Sequence, residues 1–587
     1  AWHYFIYTNK GMEGIPETNQ RPSYWRSHQT YYTYDKDIRV KSTAKVDGTY
    51  YFDLGGEHMF KAGVQFNRIY EDVLEGAPYD LWLYYWGQNY EGVKVPRRDT
   101  EWGYMAAYDP YGTIAEINSD RWALYAQDSW TVSNKLTLNF GVRAEKENIP
   151  SYVDPDSELA QEKPHLLEPP ISFGFMDKIA PRLGFAYDVM GDGSFKVFGS
   201  YGIYYDVMKL DMAEGSYGGF KWVAHYYEIP DAVAQDFNWL GEYDHAAGNP
   251  PSELEPYYIE SLNWRIPSFE TTQPDMEPYS KLEYTLGLQK RILEDMSFTA
   301  QFLHNHIIWA IEDIGVQTPA GEQYFNGNPG SEWVNEKYAN SPTIPEGVEC
   351  PRAKRSYYSV ELGFDKRFSN NWMAGVHYTW SRLWGNFSGL ASSDEHGRQD
   401  PNVERYFDMW FLHYTADGVG EDGELTESTG LLPTDRPHRF NFYGAYTFDF
   451  GMTLGFNGYA MTGTPVTTEV EINNCDGYYP EGRNNLGMRT PFIWKGDVYA
   501  EYNLQVSEGH TLQFNLNITN FTNNRIAQRI YNSALLSTIY VDNETIYNGF
   551  DWKQQVQKRG AYMDPRYKEG YRFQSPIAVR LGVKFIF

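Results

Sequence analysis

The stretch DVYAEYNLQVSEGHTLQFNLNITNF, Asp497 to Phe521, decides the fold. Successive side chains of a strand point to opposite faces, so Val498, Ala500, Tyr502, Leu504 and Val506 share one face and Asp497, Glu501, Asn503 and Gln505 the other. After Ser507, Glu508 and Gly509 the alternation resumes, with Leu512, Phe514, Leu516 and Ile518 against Gln513, Asn515, Asn517 and Thr519. Two alternating runs joined by SEG read as a tight hairpin.

The unit recurs. RPHRFNFYGAYTFDFGMTLGFNGYAMTG sets Phe440, Phe442, Tyr446, Phe448 and Phe450 against Arg439, Asn441, Tyr443, Thr447 and Asp449, and a second strand follows at once. Further hairpins are read at 37–54 with 57–70, 120–132 with 135–147, 180–190 with 194–206, 280–293 with 296–309, and 355–368 with 371–384, joined by GGE, VSN, GDG, LED and SNN. The closing SPIAVRLGVKFIF alternates too, with Val579, Leu581, Val583, Phe585 and Phe587 on one face. Between hairpins lie long polar, aromatic-rich segments at about 73–119, 148–179, 207–279, 310–354, 386–435, 464–494 and 525–575.

Short turns at one end and long loops at the other are the pattern of a transmembrane antiparallel β-barrel, with the turns periplasmic and the loops extracellular. Lipid cannot satisfy backbone N–H and C=O groups, so a sheet that crosses it must close on itself. A soluble sandwich or propeller is the competing reading, and it rarely carries its long loops at one end. No run approaches the ~20 apolar residues of a membrane helix, and the mean hydropathy is −0.60. A barrel strand needs only half its residues apolar. Net charge of −28 over 587 residues argues against a nucleic-acid partner. The 17% aromatic content is placed partly in interfacial girdles, with Trp122, Trp130, Trp372, Trp380, Tyr446 and Phe450 near strand ends. Counting a short first strand near Trp2–Thr8 gives about sixteen strands, the size of a general porin, whereas plugged transporters have about 22.

The residues resemble TonB-dependent outer-membrane receptors, in particular the Oar-like branch whose precursors carry a carboxypeptidase-regulatory-like domain. DRWALYAQDSWTVSNKLTLNFGVRAEK and KIAPRLGFAYDVMGDGSFKVFGSYGIYYD are similar to successive hairpins of that family. WGNFSGLASSDEHGRQDPN, LLPTDRPHRFNFYGAY, TGTPV, NNLGMRTP, LNITNFTNN and FQSPIAVRLGVKFIF follow as its later landmarks, in order. The resemblance implies a 22-stranded barrel of which residues 1–587 are a C-terminal portion, with the plug domain and first strands lying outside this sequence. It also implies ligand capture at the extracellular loops and import by TonB-driven remodelling of the plug. The partners expected are outer-membrane lipid, the TonB complex acting through an N-terminal region not in this sequence, and a surface lipoprotein.

The loop aromatics Trp82, Tyr84, Tyr85, Trp86 and Tyr90, with Trp239 and Trp264, are candidates for ligand binding, since such rings stack on glycans and fill pockets for peptides or metal chelates. Equally they could pack loops together. The acidic stretch 228–260 holds Asp236, Glu242 and Asp244, a candidate calcium site that lacks the pattern of a defined calcium loop; its other reading is a solvated surface. His304 and His306 share a strand face without a third ligand nearby. Cys350 and Cys475 both fall on the extracellular side, where a disulfide is permitted. Lumen-facing positions include Arg143, Arg182, Glu283, Glu361, Arg439, Glu501 and Arg580. No catalytic motif stands in the context it needs, so binding and gating, not an enzyme, are expected, with no cofactor beyond calcium. A passive porin and an adhesin or surface-assembly protein remain the alternatives.

Overall fold

The structure, a computed structural model, describes residues 2–5, 8–21, 34–77, 81–86, 101–108, 111–153, 155–156, 158–217, 221–231, 258–263, 272–318, 321–389, 405–473, 475–484, 487–559 and 562–587. Fifteen long strands form one antiparallel sheet curled into a barrel. They are β1 Tyr34–Asp53, β2 Glu57–Ala77, β3 Tyr111–Ser133, β4 Leu136–Ile149, β5 Ile179–Asp188, β6 Phe195–Tyr205, β7 Ser280–Leu293 and β8 Met296–Trp309. The wall continues with β9 Arg355–Ser369, β10 Trp372–Gly385, β11 His438–Thr447, β12 Met452–Met461, β13 Ile493–Ser507, β14 His510–Thr519 and β15 Ala578–Ile586.

Every hairpin expected from the alternation is present, and each strand pairs with its neighbours in chain order. The opening hairpin β13–β14 runs from Val498↔Ile518 to Ser507↔His510, and β15 pairs with β14 from Thr511↔Ile586 to Thr519↔Ala578. Local chemistry sets the short turns. Between β9 and β10, Asn370 and Asn371 both adopt positive φ, 49° and 70°, the conformation that two-residue hairpin turns require and that asparagine tolerates. The apolar stripes lie on the outside of the wall, where Leu124, Val142, Leu286, Val376, Phe456 and Leu504 are exposed.

Two features differ from expectation. Trp2–Phe5 is not a wall strand; it pairs in parallel with Leu81–Trp86 in a separate five-stranded sheet formed by loop segments. Among the described residues the wall therefore holds fifteen long strands, not sixteen. Second, followed in order, the ladders begin at β1 and end at β15, and among the described residues no ladder joins these two. Both are exposed along nearly their whole length, with Val46 at 72% and Leu581 at 82%.

The long segments are not loose polar loops. They fold into small sheets and short helices around the largest hydrophobic core of the molecule, in which Phe387, Phe407, Leu412, Val470, Tyr478 and Ile539 are buried. The barrel interior is wet and its exterior faces lipid, so neither can supply an ordinary core. Apolar burial is instead concentrated in a cap over the extracellular mouth, at roughly 25 cal/mol per Å² of apolar surface removed from water. β2 and β3 carry the wall into this layer: at 21 and 23 residues they exceed the ~9–11 residues that cross a bilayer.

Candidate functional site

Between the upper lumen wall and the cap lies a cavity of about 680 Å³, within the range of sites that hold small ligands. Strand pleating decides which residues reach it. Tyr284, Leu286, Tyr358, Leu362, Val376, Trp380 and Phe440 are exposed on the outside, so the opposite parity faces inward, and Lys281 on β7, Arg355 and Glu361 on β9 and Arg439 on β11 line the cavity. Glu361 pairs in register with Thr379 and Thr379 with Arg439. This acid and this base thus stand in one cross-strand row with a single strand between them, about 10 Å apart at the ~4.8 Å spacing of neighbouring strands. Among the described residues neither Glu361, Arg439 nor Lys281 is in an ion pair.

The rim is held by backbone contacts. Arg355 Nη1 donates to the Ser388 carbonyl at 2.6 Å, and Arg436 Nη1 to the Thr462 carbonyl at 2.7 Å. Asp435 is committed twice, accepting from Arg489 Nη2 at 2.6 Å and from the Leu383 N–H at 2.7 Å. The cavity therefore offers Glu361, Arg439 and Lys281 to a guest.

The expected lumen residues do share the inner face of the wall, but only Glu361 and Arg439 meet at the cavity. Arg143 pairs with Glu145 and Arg182 lies over the Tyr204 ring at 4.7 Å. Glu501 accepts from Asn503 Nδ2 at 2.8 Å and from the Tyr499 hydroxyl. Glu283 stands opposite Gly202 and Asn305, and Arg580 lies on the exposed edge strand β15. Lys281, Arg355 and Arg436 were missed. The parity that singled out Glu283 also places Lys281 inward, and that signal was available.

A second cluster fastens the cap to the wall. Lys178 Nζ sits 2.7 Å from Glu147 Oε2 and Arg121 Nε 3.2 Å from Glu147 Oε1. The same groups hold the start of a long cap segment: Lys178 Nζ donates to the Asp206 carbonyl at 3.2 Å and Glu147 Oε1 accepts from the Met208 N–H at 3.2 Å.

The other candidate residues are placed as follows. Trp82, Tyr84, Tyr85 and Trp86 belong to strand Leu81–Trp86. Tyr84 and Trp86 are buried at 0% and 2% exposure, and Tyr85 stacks on Tyr104 with centroids 4.4 Å apart. Tyr84 and Trp86 thus pack the cap rather than face solvent. Tyr90, Trp239 and Trp264, and the calcium candidates Asp236, Glu242 and Asp244, lie outside the described residues. No disulfide joins Cys350 and Cys475; both are buried in the cap core, and burial pushes the Cys350 thiol up to about 12. His304 and His306 point to the outer face, where His304 stacks on Tyr358 at 4.0 Å. No group of three or more His, Cys, Asp or Glu that could hold a metal occurs among the described residues.

Residues 6–465 match the family model described as "Outer membrane beta barrel domain". The TonB-dependent transporter Oar of Myxococcus xanthus is 25% identical over 94% of this chain and 51% of its own length. The chain thus spans about half the length of that curated relative. The outer membrane transporter YddB of Escherichia coli superposes with a TM-score of 0.50 at 12% identity, covering 90% of this chain and 55% of that one, which shows a shared fold. Both relatives are named as transporters rather than enzymes. An apolar exterior on a fifteen-stranded wall, a wet interior, and a match over most of the length lead to one conclusion: the chain belongs to the outer membrane β-barrel family and resides in the bacterial outer membrane.

Proposed function

We propose that this chain forms barrel wall and extracellular cap of a TonB-dependent importer, and that its ligand is received in the cavity beneath the cap. The observation that carries this reading is the Glu361–Thr379–Arg439 row, which sets an acid and a base, neither in an ion pair among the described residues, about 10 Å apart on the floor of a cavity of about 680 Å³. Opposite charges at that separation suit a ligand that carries both, and a short peptide does so at its termini. The similarity to a TonB-dependent transporter supports energised uptake, with TonB acting on a plug that remodels to let the ligand pass. That no ladder joins β1 to β15 among the described residues supports a wall completed by further strands. In the same reading a surface lipoprotein rests on the cap, and the acidic stretch 228–260 takes calcium.

The test has two arms. Fluorescent tripeptides with free termini, whose ends stand about 10 Å apart when extended, are titrated onto the protein, beside the same peptides acetylated and amidated. Free peptides should bind at least tenfold more tightly than blocked ones, and the Glu361→Gln/Arg439→Gln double variant should remove the difference. Accumulation of the same peptides is then followed in cells with and without TonB, where loss without TonB is expected. Equal binding of free and blocked peptides would sink the ligand assignment. Accumulation that persists without TonB would make the protein a passive pore.

A further inference from the structure

Like the outward faces of β4 to β6 and β12 to β15, the outer face of the wall between β7 and β11 carries no acidic side chain that could neutralise a base there. The chain carries 78 acidic residues against 50 Lys and Arg. Yet the outward positions of these five adjacent strands, read by parity from Leu282 on β7 to Tyr446 on β11, include no Asp or Glu. Near their extracellular ends one cross-strand row runs Tyr284↔His304↔Tyr358↔Arg382. His304 is wedged between the two tyrosines, at 4.9 Å from the Tyr284 ring and 4.0 Å from that of Tyr358. Its Nδ1 contacts the Tyr284 hydroxyl at 2.6 Å. Its buried Nε2 has no hydrogen-bond partner among the described residues. The next row pairs Trp380 with His438.

Arg382 is exposed and forms no ion pair or hydrogen bond among the described residues. The outward Arg68, by contrast, is neutralised within the wall. Arg68 on β2 is clamped by Asp120 on β3 through contacts of 2.7 and 2.6 Å. An unpaired guanidinium facing lipid is costly unless something negative meets it, and a planar fork of donors fits a phosphate. Arg382 lies two positions beyond Trp380 toward the cap, at the level where interfacial aromatics sit among headgroups.

We infer that Arg382 binds the phosphate of an anionic lipid headgroup in the outer leaflet, while Tyr358 and Trp380 hold the adjoining apolar part of the same molecule. The site lies on the outside of the wall and does not depend on what the lumen transports.

The test is native mass spectrometry of the full chain in detergent, with phosphatidylglycerol, phosphatidylcholine or inorganic phosphate as the probe. The unmodified protein should retain phosphatidylglycerol in preference to phosphatidylcholine. Arg382→Ala should weaken phosphatidylglycerol retention about fivefold, the size expected for one basic group at a membrane surface, and Arg382→Lys should restore most of it. Arg68→Ala, also outward but already paired, should leave retention within about twofold, which separates this site from a general loss of surface charge. Equal retention of the two lipids, or an Arg382→Ala variant that behaves as the unmodified protein, would overturn the assignment. So would displacement of phosphatidylglycerol by equimolar inorganic phosphate, since the site would then read a free anion rather than a lipid.

Discussion

Lys178 Nζ lies 2.7 Å from Glu147 Oε2, and both side chains are 1% exposed. This pair joins the upper wall to the cap segment that starts at Asp206, because each partner also bonds the backbone of that segment. Among the described residues, removing Glu147 leaves Lys178 and Arg121 with only Glu145 nearby, 3.9 Å from Lys178, whereas removing Lys178 leaves Glu147 with Arg121 at 3.2 Å. Glu147→Gln should therefore cost about 3–5 kcal/mol and Lys178→Met less, while the double variant should recover part of the Glu147→Gln loss. Urea midpoints of cap unfolding, followed by tryptophan fluorescence, will measure the difference. Equal midpoints for single and double variants would show that the pair is not coupled.

His413 sits at 0% exposure among Tyr338, Tyr406 and Phe407, and neither ring nitrogen has a hydrogen-bond partner among the described residues. Burial holds its pKa down to about 3, against an ordinary 6.5. The folded cap thus binds fewer protons at this residue than the unfolded one. Its contribution to stability is complete above pH 6.5 and is lost as pH falls from there toward about 3, at up to ~1.4 kcal/mol per pH unit. Unfolding midpoints at pH 7.5 and 5 should differ, and His413→Phe should shrink that difference. An unchanged slope in the variant would place the acid sensitivity elsewhere.

Cys350 is 2% exposed, and with its thiol pushed up to about 12 it holds almost no thiolate at pH 8. Iodoacetamide should leave it unmodified in the folded protein at that pH. After unfolding without reductant both cysteines should react, since neither is bridged. A protein that shows no free thiol after unfolding would establish a disulfide instead.

Phe456 lies midway along β12, 37% exposed on the outer face and stacked on Phe442 at 5.3 Å. Its neighbour Asn457 faces the lumen, opposite Asp497. Phe456→Lys should destabilise the assembled wall by about 2–4 kcal/mol, the cost of a lipid-facing Lys near the bilayer midplane, whereas Asn457→Lys should be nearly neutral. Heat-modifiable mobility of the protein reinserted in lipid reads both. Similar losses at the two positions would contradict the assigned faces.

Much of the wall was legible because a strand's two-residue period is a local property. Val498 and Glu501 announce opposite faces without reference to anything distant, and the SEG and SNN turns carry their own backbone requirements. The same parity identified Glu361 and Arg439 as inward. It could not show that they share a row, because cross-strand register between β9, β10 and β11 depends on turn lengths and on the 386–435 segment between the last two.

The cap was much less legible. Tyr84 and Trp86 look like ligand-facing aromatics in a polar, loop-like segment, yet they form a strand buried in a five-stranded sheet. Trp2–Phe5 alternates like a wall strand and joins that same sheet through Leu81–Trp86. Which segments meet there is set by contacts between residues far apart in the chain, and no local period records them. The sequence by itself determined the barrel, its sidedness and its lipid face, since these follow from alternation and turn chemistry. Only the tertiary structure decided the cap core, the cavity beneath it, the outward Arg382 without a partner among the described residues, and the lack of a ladder between β1 and β15 among those residues, because each is a relation between distant strands, where burial and electrostatics act through space.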